Sequence, residues 1–407
     1  MDELRRLIDA RMPGLPVERH DPAKGLPLQV TGFGPDEVHA MLEVMLGTWV
    51  TMGKETRAFE REWADFCQAE DGVMVNSGSS ANLVALAALV HTGRLNPGDE
   101  VLVPAVSWST SLFPVAQCGL VPVLVDVDPD TLCITPELAK AAMGPRTKGV
   151  MAVHLLGQVC DVPGLQELGL VVLEDACGAH GAEWRGKRVG SMGELGTFSF
   201  FFSHHITTVE GGCVVGSDPE LVDAARSLRA HGWVREMDTR AAHEAAHPEI
   251  DPRFLFVSAG FNLRPTEMAA AMGRVQLQRL PAWNDRRLAN HRRWCELVAD
   301  LPHLRAFPEL PGTRHAAFAF PLLVAEDAPF ERKALMAHLE SKKITTRPIS
   351  GSNLARQPAA AKVPGLKTAG PLPVADAVHT RGFFVGNSHA FHEGHGELLH
   401  AALKEFL

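Results

Sequence analysis

Between about residues 70 and 215, short apolar runs alternate with segments of helical period. Gly72–Val75, Glu100–Pro104, Val121–Val127, Gly149–His154, Leu170–Glu174, Thr197–Phe201 and Gly212–Gly216 read as strands. Ala81–Val90, Thr110–Cys118 and Pro136–Met143 read as helices. Strands apolar along their whole length are buried on both faces. Separated by helices, they predict a mostly parallel sheet covered on both sides, an α/β domain. Residues 235–260 mix Asp, His, Pro and Arg with no period and predict a long loop. Helical character returns over Pro265–Leu280 and Asn284–Asp300. Beyond Phe318 a strand (Ala319–Val324), a helix (Phe330–Ser341) and a strand (Ile344–Pro348) predict a smaller α+β unit. Residues 350–375, rich in Pro, Gly and Ala, predict a loop suited to act as a mobile lid. The expected division is an N-terminal segment, 1–50, packing with the small domain, a large domain, 51–285, and a small C-terminal domain, 286–407.

Composition narrows the chemistry. A formal charge of −9 argues against a general binder of nucleic acid or anionic membrane. No apolar run approaches the length of a membrane span. The opening Met-Asp-Glu-Leu-Arg-Arg has no apolar core of a secretory signal, so the expectation is a cytoplasmic protein. The chain has 19 His and no Tyr, so proton transfer near neutral pH falls to His, Asp, Glu, Lys or Cys. Seven scattered Cys form no CxxC or CxC pair, which argues against a zinc knuckle, an iron–sulfur cluster and a compact disulfide framework.

Three motifs stand at strand ends. Asn76-Ser77-Gly78-Ser79-Ser80-Ala81-Asn82 opens an Ala-rich helix. Its free N–H groups and hydroxyls suit an anion, although a plain Ser cap explains the same pattern. Glu174-Asp175 ends an apolar strand, where an α/β sheet binds ligands. Asp175 is suited to hold a protonated ring nitrogen, or else to cap a helix. Phe198-Ser199-Phe200-Phe201-Phe202-Ser203-His204-His205 runs into Glu210-Gly211-Gly212. On an extended segment the two His would face opposite sides, leaving one for a site. His243-Glu244-Ala245-Ala246-His247 matches a zinc-protease pattern, but Pro248 and loop-like surroundings argue for coincidence, and no metal is expected. Arg229-Ala230-His231-Gly232-Trp233 and Arg235 form a further basic cluster.

Together with Gly260-Phe261-Asn262-Leu263-Arg264, these motifs resemble the sugar aminotransferase (DegT-type) family of fold-type I pyridoxal phosphate (PLP) enzymes. The resemblance is strongest over residues 45–285. It implies an aspartate aminotransferase-like fold and a homodimer with shared active sites. Gly78, Ser79 and Ser199 would hold the cofactor phosphate, with Asn262 reaching in from a second subunit. Asp175 would hold the ring nitrogen protonated and Trp108 would stack on the ring. The family's lysine, which anchors the cofactor covalently, falls at His204. An imidazole forms no such anchor but moves protons.

The departure resembles the lysine-free sugar 3-dehydratases of this family, of the cluster-independent type that serves lipopolysaccharide O-antigen sugars such as colitose. It implies L-glutamate as amine donor, converting PLP to pyridoxamine phosphate (PMP). The favoured substrate is GDP-4-keto-6-deoxymannose, losing its C3 hydroxyl with His204 as acid/base. His231 is a possible second catalytic group, and Arg235 and Arg347 are candidate substrate contacts. A nucleotide-sugar aminotransferase and a non-catalytic binder of PLP or sugar nucleotide are the alternatives.

Overall fold

The computed structural model describes residues 2–407. Seven strands build most of the large sheet: β1 (Asp71–Val75), β2 (Glu100–Pro104), β3 (Val121–Val125), β4 (Thr147–Val153), β5 (Val171–Asp175), β6 (Leu195–Ser199) and β7 (Gly212–Gly216). A smaller sheet holds β8 (Leu304–Ala306), β9 (Ala319–Val324), β10 (Thr346–Pro348) and β12 (Gly382–Gly386), in the order β8-β9-β12-β10. The short strand β11 (Lys367–Thr368) returns to the large sheet and pairs with β3, giving the order β1-β7-β6-β5-β4-β2-β3-β11. Only β7 runs antiparallel to its neighbours. The architecture is therefore the α/β one that the pattern predicts, and it agrees with the fold-type I architecture that the family resemblance implies. The strands are buried because both faces carry apolar side chains: Val73, Val75, Val101, Val103 and Leu173 join one core cluster, and Leu102, Val150 and Val172 another. In a parallel sheet the strands' C-terminal ends lie along one edge, so Asp175 and Ser199 finish side by side, on strands paired through Asp175 and Thr197.

Three local readings need correction. The 235–260 stretch contains a helix, Arg240–Ala246, with no buried residue; it carries no apolar stripe, so hydrophobic periodicity had nothing to register. The two helices read on either side of residue 282 are one, Glu267–Val298, with Pro281 inside it. A proline loses one backbone bond and crowds the preceding turn, yet Leu280 and Trp283 are buried on either side, and that packing carries the helix through. Residues 350–375 are no free lid. Gly351 N–H donates to Ser107 (3.1 Å), Leu354 N–H donates to Ala105 (2.8 Å), Leu354 is buried, and β11 joins the sheet.

Residues 1–50 include the helices Asp2–Arg11 and Pro35–Leu46. Leu26 is fully buried, with backbone bonds to Lys343 and Thr345 beside β10. Among the described residues no helix is long and apolar enough to cross a membrane.

Candidate active site

A cavity of about 570 Å³ opens at the C-terminal edge of the large sheet. One wall is the start of helix Gly78–His91. Ser77 caps it, its Oγ accepting from Ser80 N–H (3.1 Å), the plain Ser cap that the motif allows. Gly78 and Ser79 then face the cavity with Ser199. A Cβ on Gly78 would stand 2.5 Å from Cβ of Ser199, so only glycine lets the helix start and the β6 end approach this closely. The result is a small, donor-rich cradle of backbone N–H groups and a hydroxyl, suited to a phosphate.

The paired carboxylates divide. Glu174 turns away from the cavity and is fully buried. It accepts from the N–H groups of Gly190 (2.8 Å), Met192 (2.8 Å) and Gly193 (2.7 Å) and pins that loop beneath the sheet. His154 links it to the site. Cys160 N–H donates to Nδ1 of His154, so Nε2 bears the proton and donates to Glu174 at 3.0 Å. Asp175 faces the cavity, 5 % exposed. Its Oδ2 accepts from Asn82 Nδ2 (2.9 Å) and Ser111 Oγ (2.7 Å), and its Oδ1 from Cys177 N–H (3.2 Å). Three neutral donors fix its orientation. A cationic N–H arriving from the cavity would find a carboxylate already aimed. Burial pushes the adjacent Cys177 thiol up, so it stays uncharged.

Trp108 caps the helix Ser109–Gln117 and stands at the cavity mouth, 59 % exposed, leaving a flat indole face to cover a ring. His204 lines the opposite side. Residues 201–206 form a tight turn rather than an extended strand, closed by His204 N–H donating to Phe201 (2.9 Å). The expected alternation of the two His is therefore replaced by a shared support. Both rings pack on Phe318, with centroids 5.2 and 5.6 Å away. His205 is fixed by a bond from Nε2 to the Ala316 carbonyl (2.9 Å), and Nδ1 of either ring is buried with no partner among the described residues. Burial lowers the His204 pKa to about 4, against the pull of the Cys177 carbonyl and the Asp175 charge. The imidazole is thus neutral at pH 7, the form that accepts a proton.

Gly78, Ser79, Trp108, Asp175, Ser199, His204 and Arg347 are gathered around this one cavity. His231, Arg235 and Asn262 are not. All three are exposed; Arg235 lies over the Trp233 ring (5.2 Å), and Asn262 accepts from Arg264 Nε (3.0 Å). Sequence reasoning passed over Asn82, Ser111 and His154, which orient the carboxylates. A buried Asn on an otherwise Ala- and Leu-rich helix was the available signal at Asn82. His243 and His247 lie on the exposed helix Arg240–Ala246 and its end, and Glu244 pairs with Arg240 at 2.6 Å.

The donor set fits PLP or PMP: a phosphate cradle, a flat aromatic cover and a fixed carboxylate for the ring nitrogen surround a cavity large enough for a cofactor and part of a substrate. Comparison with known proteins agrees. The chain is 37% identical over 370 residues to a GDP-4-keto-6-deoxy-D-mannose 3-dehydratase of Yersinia pseudotuberculosis, covering 89% of this chain and 93% of that protein. The structure of the E. coli GDP-4-keto-6-deoxy-D-mannose-3-dehydratase with bound hydrated PLP matches with a TM-score of 0.87 and 34% identity, covering 93% of this chain and 99% of that one. A GDP-4-keto-6-deoxymannose-3-dehydratase with a trapped PLP-glutamate geminal diamine matches with a TM-score of 0.86 and 32% identity, over 93% and 100% of the two chains. A profile of the DegT/DnrJ/EryC1/StrS aminotransferase family spans residues 33–402, and the chain belongs to that family.

Proposed function

We propose that this chain is a PLP-dependent 3-dehydratase that removes the C3 hydroxyl of a nucleotide-linked 4-keto-6-deoxy sugar, GDP-4-keto-6-deoxymannose being favoured, with glutamate as amine donor. The observation that carries this reading is the imidazole of His204 at the position of the family's lysine, inside a cavity otherwise furnished for PLP.

When bound, PLP supplies an electron sink and, once it has taken the amino group of glutamate, an amine for the sugar's ketone. The protein's part follows from its own groups. Gly78, Ser79 and Ser199 bind the phosphate end, and Trp108 covers the ring. Asp175 pairs with the ring nitrogen and favours its protonated form. With no lysine to hold the cofactor covalently, these contacts alone retain it. His204, neutral and lining the cavity, takes a proton at C4′ and returns one to the leaving C3 hydroxyl, which departs as water. Arg347, at the rim, meets an anionic part of glutamate or of the substrate.

The same reading assigns the chain to a cytoplasmic homodimer. Asn262, His231 and Arg235, exposed and outside the lining of their own chain's cavity, would serve the neighbouring protomer's site. Exposed Trp49, Phe254 and Phe256 offer apolar area for that contact. The test is mass spectrometry of the sugar formed from GDP-4-keto-6-deoxymannose with PLP and glutamate. A 3-deoxy-4-keto product supports dehydration; a 4-amino sugar as sole product assigns the chain to the aminotransferases instead.

A further inference from the structure

Beneath the cavity lies a charge that the proposed chemistry does not use. Arg287, on the helix Glu267–Val298, is 1 % exposed. Its Nη1 donates to the carbonyls of Phe318 (3.3 Å) and Asn387, while Nε and Nη2 have no partner among the described residues. Among the described residues no carboxylate pairs with it, and burial lowers its pKa to about 10, which leaves it a cation at neutral pH. A buried guanidinium without a counter-ion is expensive, and a hydrophobic residue would be cheaper if packing were its only task.

What surrounds it is a set of imidazoles. The Phe318 carbonyl that Arg287 holds belongs to the residue whose ring supports His204 and His205. Behind them lies His180, fully buried with both ring nitrogens unpartnered. Its ring is 16° from parallel to that of His204, with centroids 5.9 Å apart, and 4.9 Å from that of His205. Other ionisable groups face His204 across the cavity: Asp175, Cys177 and Glu210 among acids, His154 and Arg347 among bases. Asp175 favours a protonated His204, and an imidazolium there would satisfy the carboxylate meant for the ring nitrogen. Burial opposes that outcome, and an unpaired cation in the same low-dielectric region opposes it further.

We propose that Arg287 is an electrostatic positioning residue, whose unpaired charge under Phe318 adds to burial in keeping His180, His204 and His205 uncharged, so that His204 enters the reaction as a base and leaves Asp175 to the cofactor. The significance rests on the dehydratase reading of His204; the charge state itself is measured without turnover.

The experiment follows the His204 ring resonance in histidine-labelled, cofactor-free protein from pH 8 to 4.5, assigned by its loss in His204→Asn. In the wild type the midpoint should lie below pH 5. Arg287→Gln, and independently Arg287→Met, should raise it by about half a unit or more, whereas Arg287→Lys should leave it near the wild-type value. A purely structural Arg287 would change thermal stability and leave the midpoint in place, which overturns the proposal. So does a wild-type midpoint above pH 6, a result that needs no variant to fold. Because no substrate is present, failure here leaves the dehydratase assignment standing, and absence of dehydration leaves this inference standing.

Discussion

Gly78 and Ser199 meet where the helix Gly78–His91 abuts the end of β6, so closely that a Cβ on Gly78 would lie 2.5 Å from Cβ of Ser199 and 3.0 Å from its Oγ. Gly78→Ala must therefore displace either the hydroxyl or the helix start. The expected result is at least a tenfold weaker PLP dissociation constant by absorbance titration, with a stability loss of about 1–3 kcal/mol. Unaltered PLP affinity would show that the phosphate binds elsewhere.

Asp175 owes its aim to Asn82 and Ser111. Asp175→Asn keeps the size and loses the charge that favours a protonated ring nitrogen. The rate of amine transfer from glutamate, read from the cofactor spectrum in a single turnover, should fall by about 10²-fold or more. Ser111→Ala removes one of three donors and should cost much less, about tenfold.

Glu174, next in sequence, governs stability instead. Its two oxygens accept from three backbone N–H groups and from His154 in a fully buried setting. Glu174→Gln turns one acceptor into a donor facing N–H groups. Urea denaturation should show a loss of about 3 kcal/mol.

Much of this was legible in the chain. Apolar β-branched runs marked the sheet, because a strand buried on both faces leaves no other pattern, and Asp175 was found as a polar residue at such a strand end; Ser199, inside the strand read as Thr197–Phe201, was marked only by the family resemblance. The helix Arg240–Ala246 escaped because an exposed helix has no apolar period. The division of labour between Glu174 and Asp175 was hidden for a geometric reason: adjacent strand residues point to opposite faces, and only the fold says which face holds the cavity. Likewise the turn that brings His204 and His205 onto Phe318 depends on a residue more than 110 positions away.

The histidine surplus predicts an acid sensitivity. Burial lowers the pKa of His180, His204, His205, His291, His315, His389 and His395, to about 4 at His204, His291 and His395 and about 3 at His389. In the unfolded chain they titrate near 6.5. Between these values the unfolded state binds the extra protons, so stability falls as pH drops from about 6.5 toward 4, by up to about 1.4 kcal/mol per pH unit for each histidine. Above pH 7 these groups contribute no slope. Urea midpoints should be level from pH 7 to 8 and drop steeply below 6; level midpoints down to pH 5 would mean that the histidines are not buried as described.

In the proposed reaction an imidazole in the lysine position turns an aminotransferase scaffold to elimination. Its most direct test is ammonia released per sugar consumed, by wild type and His204→Asn, each shown spectroscopically to hold its cofactor, with glutamate and GDP-4-keto-6-deoxymannose. About one ammonia per 3-deoxy sugar is expected from the wild type and essentially none from His204→Asn. Sugar consumed without ammonia, or ammonia undiminished in His204→Asn, would contradict it.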